Sequence, residues 1–261
     1  MVRKRDDRSI TLERDGIEVV EGNFLDYGSI KNALKDTDSA YFCYPFMDHL
    51  PKAATYFARA AEDSSTSLIV NMSQMNVHEQ TSSPATQNHL VSEQIFDWSK
   101  VHTIHLRPAL FAWNFLGMAA PTIAQHDTFY FPNPQATYNI IHPEDIGEVV
   151  AKLLVTPVAE KLENVIKLTG ESTFTSESLA RLFSNIVGRA IKYAPIPVDD
   201  WIATVRTLPT VNDFLAEHLR EFSKDIADGK FDSITSEVLN ITGHRPRPIA
   251  NYFRQNLALF N

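Results

Sequence analysis

SLIVNMSQMNVHEQTSSPATQNHLVSEQIFDWSKVHTIHLRPALFAWNF, residues 67–115, is the stretch on which the fold turns. Residues 67–72 form a short apolar run, the pattern of a buried strand. Residues 84–100 read as a long helix, with Leu90, Val91, Gln94, Ile95 and Trp98 inward or half-inward. Residues 103–106 read as a second strand, closed by Arg107–Pro108. A strand, a helix and a strand at this spacing imply a right-handed βαβ unit and a parallel sheet.

The pattern continues toward the N-terminus. Residues 39–44 are an apolar strand ending at Pro45. Residues 49–63 form a helix in which Leu50, Ala53, Ala54, Phe57, Ala58 and Ala61 recur at i, i+3, i+4 spacing. Residues 29–36 read as a short helix with Ile30, Ala33 and Leu34 on one face, and residues 17–20 (IEVV) as a short strand. On the C-terminal side, residues 129–157 read as a turn, an extended segment and a helix. Pro143 suits the first helical position of that helix, and Glu144 and Asp145 complement its positive end. VIKLTG (165–170) is a strand. Thr175 or Ser176 can cap a helix through Ile186, with Gly188 at its stop. Residues 192–201 are extended and lead into a further helix. Leu215, Leu219, Phe222 and Ile226 then mark a helix ended by Gly229. The predicted fold class is α/β: a Rossmann-like parallel sheet flanked by helices, with a smaller C-terminal α/β region.

Composition narrows the function classes. The chain has 261 residues, enough for one large or two small domains, and its 44% hydrophobic content with 16 phenylalanines supports a substantial core. A net charge of −8 argues against a general nucleic-acid binder. The concentrated basic stretch, Arg3, Lys4, Arg5 and Arg8, is broken by Asp6 and Asp7, and its plain reading is a solvated terminus. The single cysteine, Cys43, excludes an internal disulfide; within the apolar run AYFCY it is expected to be a buried structural thiol. No 18-residue apolar run and no leader-like N-terminus are present, so no membrane partner is expected and a cytoplasmic setting is the default.

A dinucleotide fold ordinarily opens with a G-x-G-x-x-G turn, whose backbone N–H groups and helix dipole hold the pyrophosphate. The nine glycines of this chain supply no such turn, for no three lie close enough together.

The order of elements resembles the NmrA-like family of atypical short-chain dehydrogenase/reductases. Four stretches carry the resemblance. GIEVVEGNFLDYGSIKNALKDTD (16–38) resembles that family's third strand and following helix, with Gly22–Asn23 where Gly-Asp is usual. NMSQMNV (71–77) resembles the strand that ends beside the nicotinamide. Residues 83–115 carry H-x-x-x-E on a helix, then L-R-P-x-x-F-x-x-N. Residues 141–146 (IHPEDI) resemble the junction after the substrate region. Laid on this pattern, Met1–Val2 ends the second strand, so the first strand, the Gly-rich turn and the first helix have no counterpart in this chain. The N-terminal βαβ unit is then incomplete. The division implied is a Rossmann-like NAD(P)-binding domain over residues 1–112 and a substrate-side region over 113–261, with 137–156 returning to the first.

The resemblance also implies a site. Arg3, with Lys4 or Arg5, can pair with a ribose 2′-phosphate, which favours NADP over NAD. Asn23 can bond adenine and Phe24 can stack on it. Tyr44, Pro45 and Phe46 end a strand, where ligands of open α/β sheets bind. Ser73 and Gln74 can meet nicotinamide or substrate. Pro108 to Phe111 puts backbone near the carboxamide, and Asn114 can bond nearby. His89 stands where relatives often carry lysine and is the candidate to hold the nicotinamide ribose or serve catalysis. Glu93, one turn on, is either its partner or a surface charge. Tyr27-x-x-x-Lys31 spells the catalytic pair of ordinary short-chain dehydrogenases, but on the wrong helix, and reads as coincidence. His102 and His105 have metal-like spacing on a strand, yet point to opposite faces, so no metal is expected.

The expected function is an NADPH-dependent oxidoreductase of a quinone-like or small carbonyl or aromatic acceptor. The alternatives are a non-catalytic NAD(P)-sensing protein with a regulatory protein partner, and a remnant that no longer binds cofactor. The missing turn implies weak NADPH binding by this chain. The missing strand implies an open sheet edge or an unfilled sheet centre, and with it self-association.

Overall fold

The computed structural model describes residues 1–155 and 163–261; the end of the 137–156 segment, Thr156, and Pro157 of the 129–157 stretch lie outside the described residues. In the N-terminal half, α1 (Asp7–Arg14) and α2 (Tyr27–Ala33) precede β1 (Ser39–Phe42), α3 (Leu50–Asp63), β2 (Leu68–Met72), α4 (Pro84–Trp98) and β3 (His102–Pro108). Then come β4 (Leu110–Phe111), α5 (Ala112–His126), β5 (Thr128–Phe131), β6 (Thr137–Ile141) and α6 (Pro143–Val155). The remainder runs β7 (Val165–Leu168), β8 (Thr173–Thr175), α7 (Ser176–Val187), β9 (Lys192–Pro195), α8 (Val198–Val205), α9 (Asp213–Ala227), α10 (Glu237–Thr242) and α11 (Ile249–Gln255).

Strands β1, β2, β3 and β7 form one sheet in that order, with every pairing parallel. The predicted βαβ units are therefore present. β2 is buried at all five positions, as expected of a central parallel strand covered on both faces. On one side, α3 lays its Leu50, Ala53, Ala54 and Phe57 into a core with Phe42, Ile69 and Phe96. On the other, a larger core joins β2 and β3 to α5, α6 and the C-terminal helices. Among the described residues β1 pairs with β2 alone and leaves its other edge without a strand.

Two short sheets build the second region. β4, β6 and β8 form one, and β5 pairs with β9 in the other. Asn139 on β6 locks this region together: its amide nitrogen donates to the carbonyls of Gly170 (3.2 Å) and Ser172 (3.0 Å), while its carbonyl accepts from the Gly170 N–H (2.7 Å). Thr175 caps α7 with a reciprocal bond to Ser178, and Gly188 closes the helix in the left-handed conformation, as the sequence predicts.

Three expectations are corrected. Residues 17–20 are not a strand: among the described residues the pairing there is a single parallel bridge between Val2 and Glu21, with Val2 N–H donating to the Val20 carbonyl (2.8 Å). The basic residues Arg3, Lys4, Arg5 and Arg8 are all exposed, as the plain reading has it, and Asp6 and Ser9 form a capping box that starts α1 among them. Cys43 is exposed, since β1 ends one residue earlier. On α4 the inward face carries Ala85, Thr86, His89, Ser92, Glu93 and Phe96, whereas Val91, Gln94 and Trp98 are exposed. Its buried stripe is mostly polar, so tracking the large apolar side chains puts the helix in the wrong phase.

Candidate functional site

The carboxyl ends of β2 and β3 open into a cavity of about 290 Å³. Parallel strands place their following loops at one end of the sheet, where ligands of such folds settle. Ser73, Gln74 and Asn76 enter from the end of β2, and Pro108 to Phe111 from the end of β3. Trp113, Asn114, Phe115 and Met118 come from α5, Val205 from α8, and Leu215, His218, Leu219 and Phe222 from α9. Phe46 closes one side. Among the described residues the lining holds no Lys, Arg, Asp, Glu or Tyr, and His218 is its titratable side chain.

The polar edge of the cavity is fixed from behind. Glu93 on α4 is buried at 3% exposure and receives a two-pronged bond from Arg107, Nε at 2.9 Å and Nη2 at 2.5 Å. The Ser73 hydroxyl donates to the same carboxylate at 2.5 Å. Glu93 is thus neither a surface charge nor a partner of His89. It spends its charge on Arg107 and holds Ser73 in place. Thr86 Oγ1 receives the side-chain amides of Gln74 (2.8 Å) and Asn76 (3.4 Å).

His89 lies behind Phe46, which meets its ring edge-to-face at 5.5 Å between centroids. The imidazole is buried, and its Nδ1 has no hydrogen-bond partner. An orphaned polar atom at this depth is costly unless something satisfies it. Burial pushes the His89 pKa down to about 3, assisted by the neighbouring His218, so the ring is neutral. Phe46 stacks on His218 with its other neighbour at 5.1 Å, so one exposed phenylalanine separates the two histidines. His218 is pushed down to about 4 by burial, with Asp225 pulling weakly the other way.

The remaining candidates divide. Ser73, Gln74, Pro108, Phe111, Asn114 and Phe46 converge on the cavity. Of the expected adenine pair, Asn23 is exposed and accepts the Leu25 N–H in a local turn (2.9 Å), and Phe24, half-buried, packs against Phe42, Tyr44 and Phe57. Tyr44 belongs to that aromatic cluster and also feels the charge of Arg3. Pro45 is exposed. Arg5 is engaged by Glu13, Glu21 and the Val19 carbonyl and Arg8 by Asp6, while Arg3 and Lys4 are exposed beside them. Tyr27 and Lys31 both turn to Asp63, at 2.5 and 3.3 Å, on the α2–α3 surface away from the cavity. His105 is buried between Asn71 and Asp97, each at 3.0 Å, and His102 is half-buried.

Residue by residue, the fit to a nicotinamide dinucleotide is uneven. An orphaned, neutral histidine with a walled apolar cavity beside it suits a nicotinamide ring and its ribose. The pyrophosphate has no Gly-rich cradle in these residues. Sequence reasoning also missed Asn76, Ser83 and His218. His218 stood in plain view on the 215–226 helical stripe, one turn from both Leu215 and Phe222, where an apolar residue would be expected.

Comparisons with known proteins follow the same lines. An NADPH-dependent quinone oxidoreductase from Escherichia coli, complexed with NADPH, superposes with a TM-score of 0.84 at 18% identity, covering 97% of this chain and 87% of that one. The negative transcriptional regulator NmrA, in complex with NADP, superposes with a TM-score of 0.78 at 13% identity, covering 98% and 85%. Agroclavine dehydrogenase of Claviceps fusiformis is 25% identical over 154 residues, 58% of this chain and 52% of that protein, so the match spans about half that relative's length. The model of the NmrA-like family matches residues 1–247, and the chain belongs to that family.

Proposed function

We propose that the cavity binds a planar, apolar acceptor bearing a carbonyl or quinone oxygen, and that the protein is a nicotinamide-dependent reductase, NADPH being favoured. One observation carries the reading: an apolar, aromatic-walled cavity at the carboxyl ends of a parallel sheet, next to a buried histidine with an unmet nitrogen. Its likeness to a quinone oxidoreductase and its partial match to a dehydrogenase support it. The bound cofactor would supply hydride. This chain's residues would exclude water, orient the acceptor and bond the nicotinamide ribose through His89. Arg3 is the remaining candidate for a 2′-phosphate.

A polypeptide of these 261 residues alone is expected to bind the cofactor weakly. Residues 1–261 themselves supply no Gly-rich turn, and the charge-assisted backbone bonds of such a turn contribute roughly 1.5–3 kcal/mol each, at least a hundredfold in affinity together. Calorimetric titration of the chain is expected to give an NADPH dissociation constant well above the micromolar range. A low-micromolar value would overturn this part. At millimolar NADPH, a small quinone is expected to stimulate NADPH oxidation. His89→Ala should lower cofactor binding or turnover roughly five- to thirtyfold, while Tyr27→Phe and Lys31→Ala change little.

The second reading is a non-catalytic NAD(P)-responsive regulator acting on a protein partner. The lining's want of a Tyr, Lys or carboxylate favours it, as does the likeness to a transcriptional regulator. Acceptor and cofactor binding with no NADPH oxidation at any concentration would select it.

A further inference from the structure

His218 is the polar group that the long reach of α9 brings to the cavity. Its Nδ1 lies 2.8 Å from Ser83 Oγ, at the N-terminus of α4. That serine oxygen already accepts the Thr86 N–H (3.2 Å) as the cap of α4. Its hydroxyl proton therefore has the His218 Nδ1 lone pair as its acceptor among the described residues. With Nδ1 accepting, the proton of a neutral imidazole sits on Nε2. Nε2 makes no hydrogen bond to any described residue, in a ring that is 5% exposed and lines the cavity.

We propose that His218, held by Ser83 as the Nε2–H tautomer, donates a hydrogen bond to the carbonyl oxygen of the acceptor and so selects carbonyl compounds over hydrocarbons of the same shape. The proposal deepens the acceptor reading above and rests on it. The selection follows from the surroundings. Phe46 stacks on one side of the ring, and apolar side chains from α5, α8 and α9 form most of the remaining wall. A donor set in such a wall is left unpaired by a ligand that lacks an acceptor atom, and that asymmetry discriminates more strongly than the added attraction. The ionisable groups that face His218 are His89 on α4 and Asp225 on its own helix. Burial keeps the His218 imidazole a neutral donor and outweighs the pull of Asp225 toward a positive ring, while the repulsion between the two histidines falls on His89.

The test uses two ligands of one shape, 2-acetylnaphthalene and 2-ethylnaphthalene, titrated by NMR into the whole chain without cofactor. Neither reacts with the exposed Cys43. The wild-type ratio of the two affinities is expected to fall roughly five- to tenfold toward the hydrocarbon in His218→Leu, and to be partly restored in His218→Gln, which keeps an N–H donor. Nitrogen-15 shifts of wild-type His218 are expected to report the Nε2–H tautomer. That measurement needs no variant and stands if His218→Leu fails to fold. An unchanged ratio in both variants, or an Nδ1–H tautomer, overturns the role of His218 while leaving the cavity as the acceptor site. Failure of the wild type to bind either compound overturns the acceptor reading itself.

Discussion

At the scale of single residues, the molecule is least tolerant where backbone meets backbone. A Cβ built on Gly170 would stand 2.1 Å from the Ile140 carbonyl oxygen, in the middle of the β6 contact that Asn139 braces. The atom it meets is main chain and has no rotamer to yield. Gly170→Ala is therefore expected to destabilise by at least about 3 kcal/mol, at the upper end of overpacking costs. For a chain of this size that is a fall in melting temperature of roughly 6–12 °C. A change of under 2 °C would show that the β6–β8 region can part without loss. Gly188 offers the contrast: no atom lies within 4 Å of its hypothetical Cβ, and its constraint is the left-handed φ of 73° that ends α7. The sequence announces Gly188, which sits after a periodic stripe. Nothing local announces Gly170, whose neighbour Ile140 is thirty residues away and whose need for space is purely tertiary.

Elements show the same division between local and distant signals. β2, β3, α3 and α7 are written in apolar runs or stripes with caps, and they form where the sequence places them. The phase of α4 is not so written, because the residues it buries include the polar Thr86, His89, Ser92 and Glu93, of which Thr86 and Glu93 hold side chains from outside the helix. Half of the cavity was legible for the converse reason: Ser73, Gln74, Pro108 and Phe111 follow directly on apolar strands. Its other wall was not, because α9 arrives more than a hundred residues later. What holds α9 there is Asp225, 5% exposed, which takes Asn76 Nδ2 at 2.6 Å and Lys230 Nζ at 2.5 Å and lies 3.3 Å from His78 Nε2. Asp225→Ala leaves a buried amide and a half-buried ammonium without their acceptor, and is expected to cost about 2–4 kcal/mol. The loss should be local. Hydrogen exchange of the amides of α9, Asp213–Ala227, is expected to quicken well beyond that of β2. Equal acceleration in both would mean that α9 and the sheet open as one unit.

For the whole molecule, the buried histidines set the response to acid. His89 and His218, about 3 and about 4 when folded, ordinarily titrate near 6.5. Burial lowers His142 as well. A histidine held neutral by the fold binds fewer protons folded than unfolded, so its contribution to stability is whole above the unfolded pKa. That contribution shrinks as pH falls from about 6.5 to the folded value. His244 runs the other way. The Arg245 carbonyl and Glu148 raise its pKa, so its contribution is whole below 6.5 and is lost as pH climbs through the raised value. It is exposed and weak beside the buried pair. The carboxyls of Asp6, Asp26, Asp63 and Glu148, lowered chiefly by hydrogen bonds, add to the acid loss only once pH drops through their own range. Between about pH 6 and 4.5 His89 and His218 therefore dominate. Unfolding near pH 5 should take up about 1.8 protons on their account, a slope of about 2.5 kcal/mol per pH unit. Urea unfolding at pH 7.5, 6.5, 5.5 and 4.5 measures it. His218→Leu should remove about half of the slope, and a wild-type stability that stays flat from 6.5 to 4.5 would mean that both rings reach water in solution. The same burial that exposes the fold to acid keeps both imidazoles uncharged at neutral pH, the state in which each can offer an N–H to a neutral ligand.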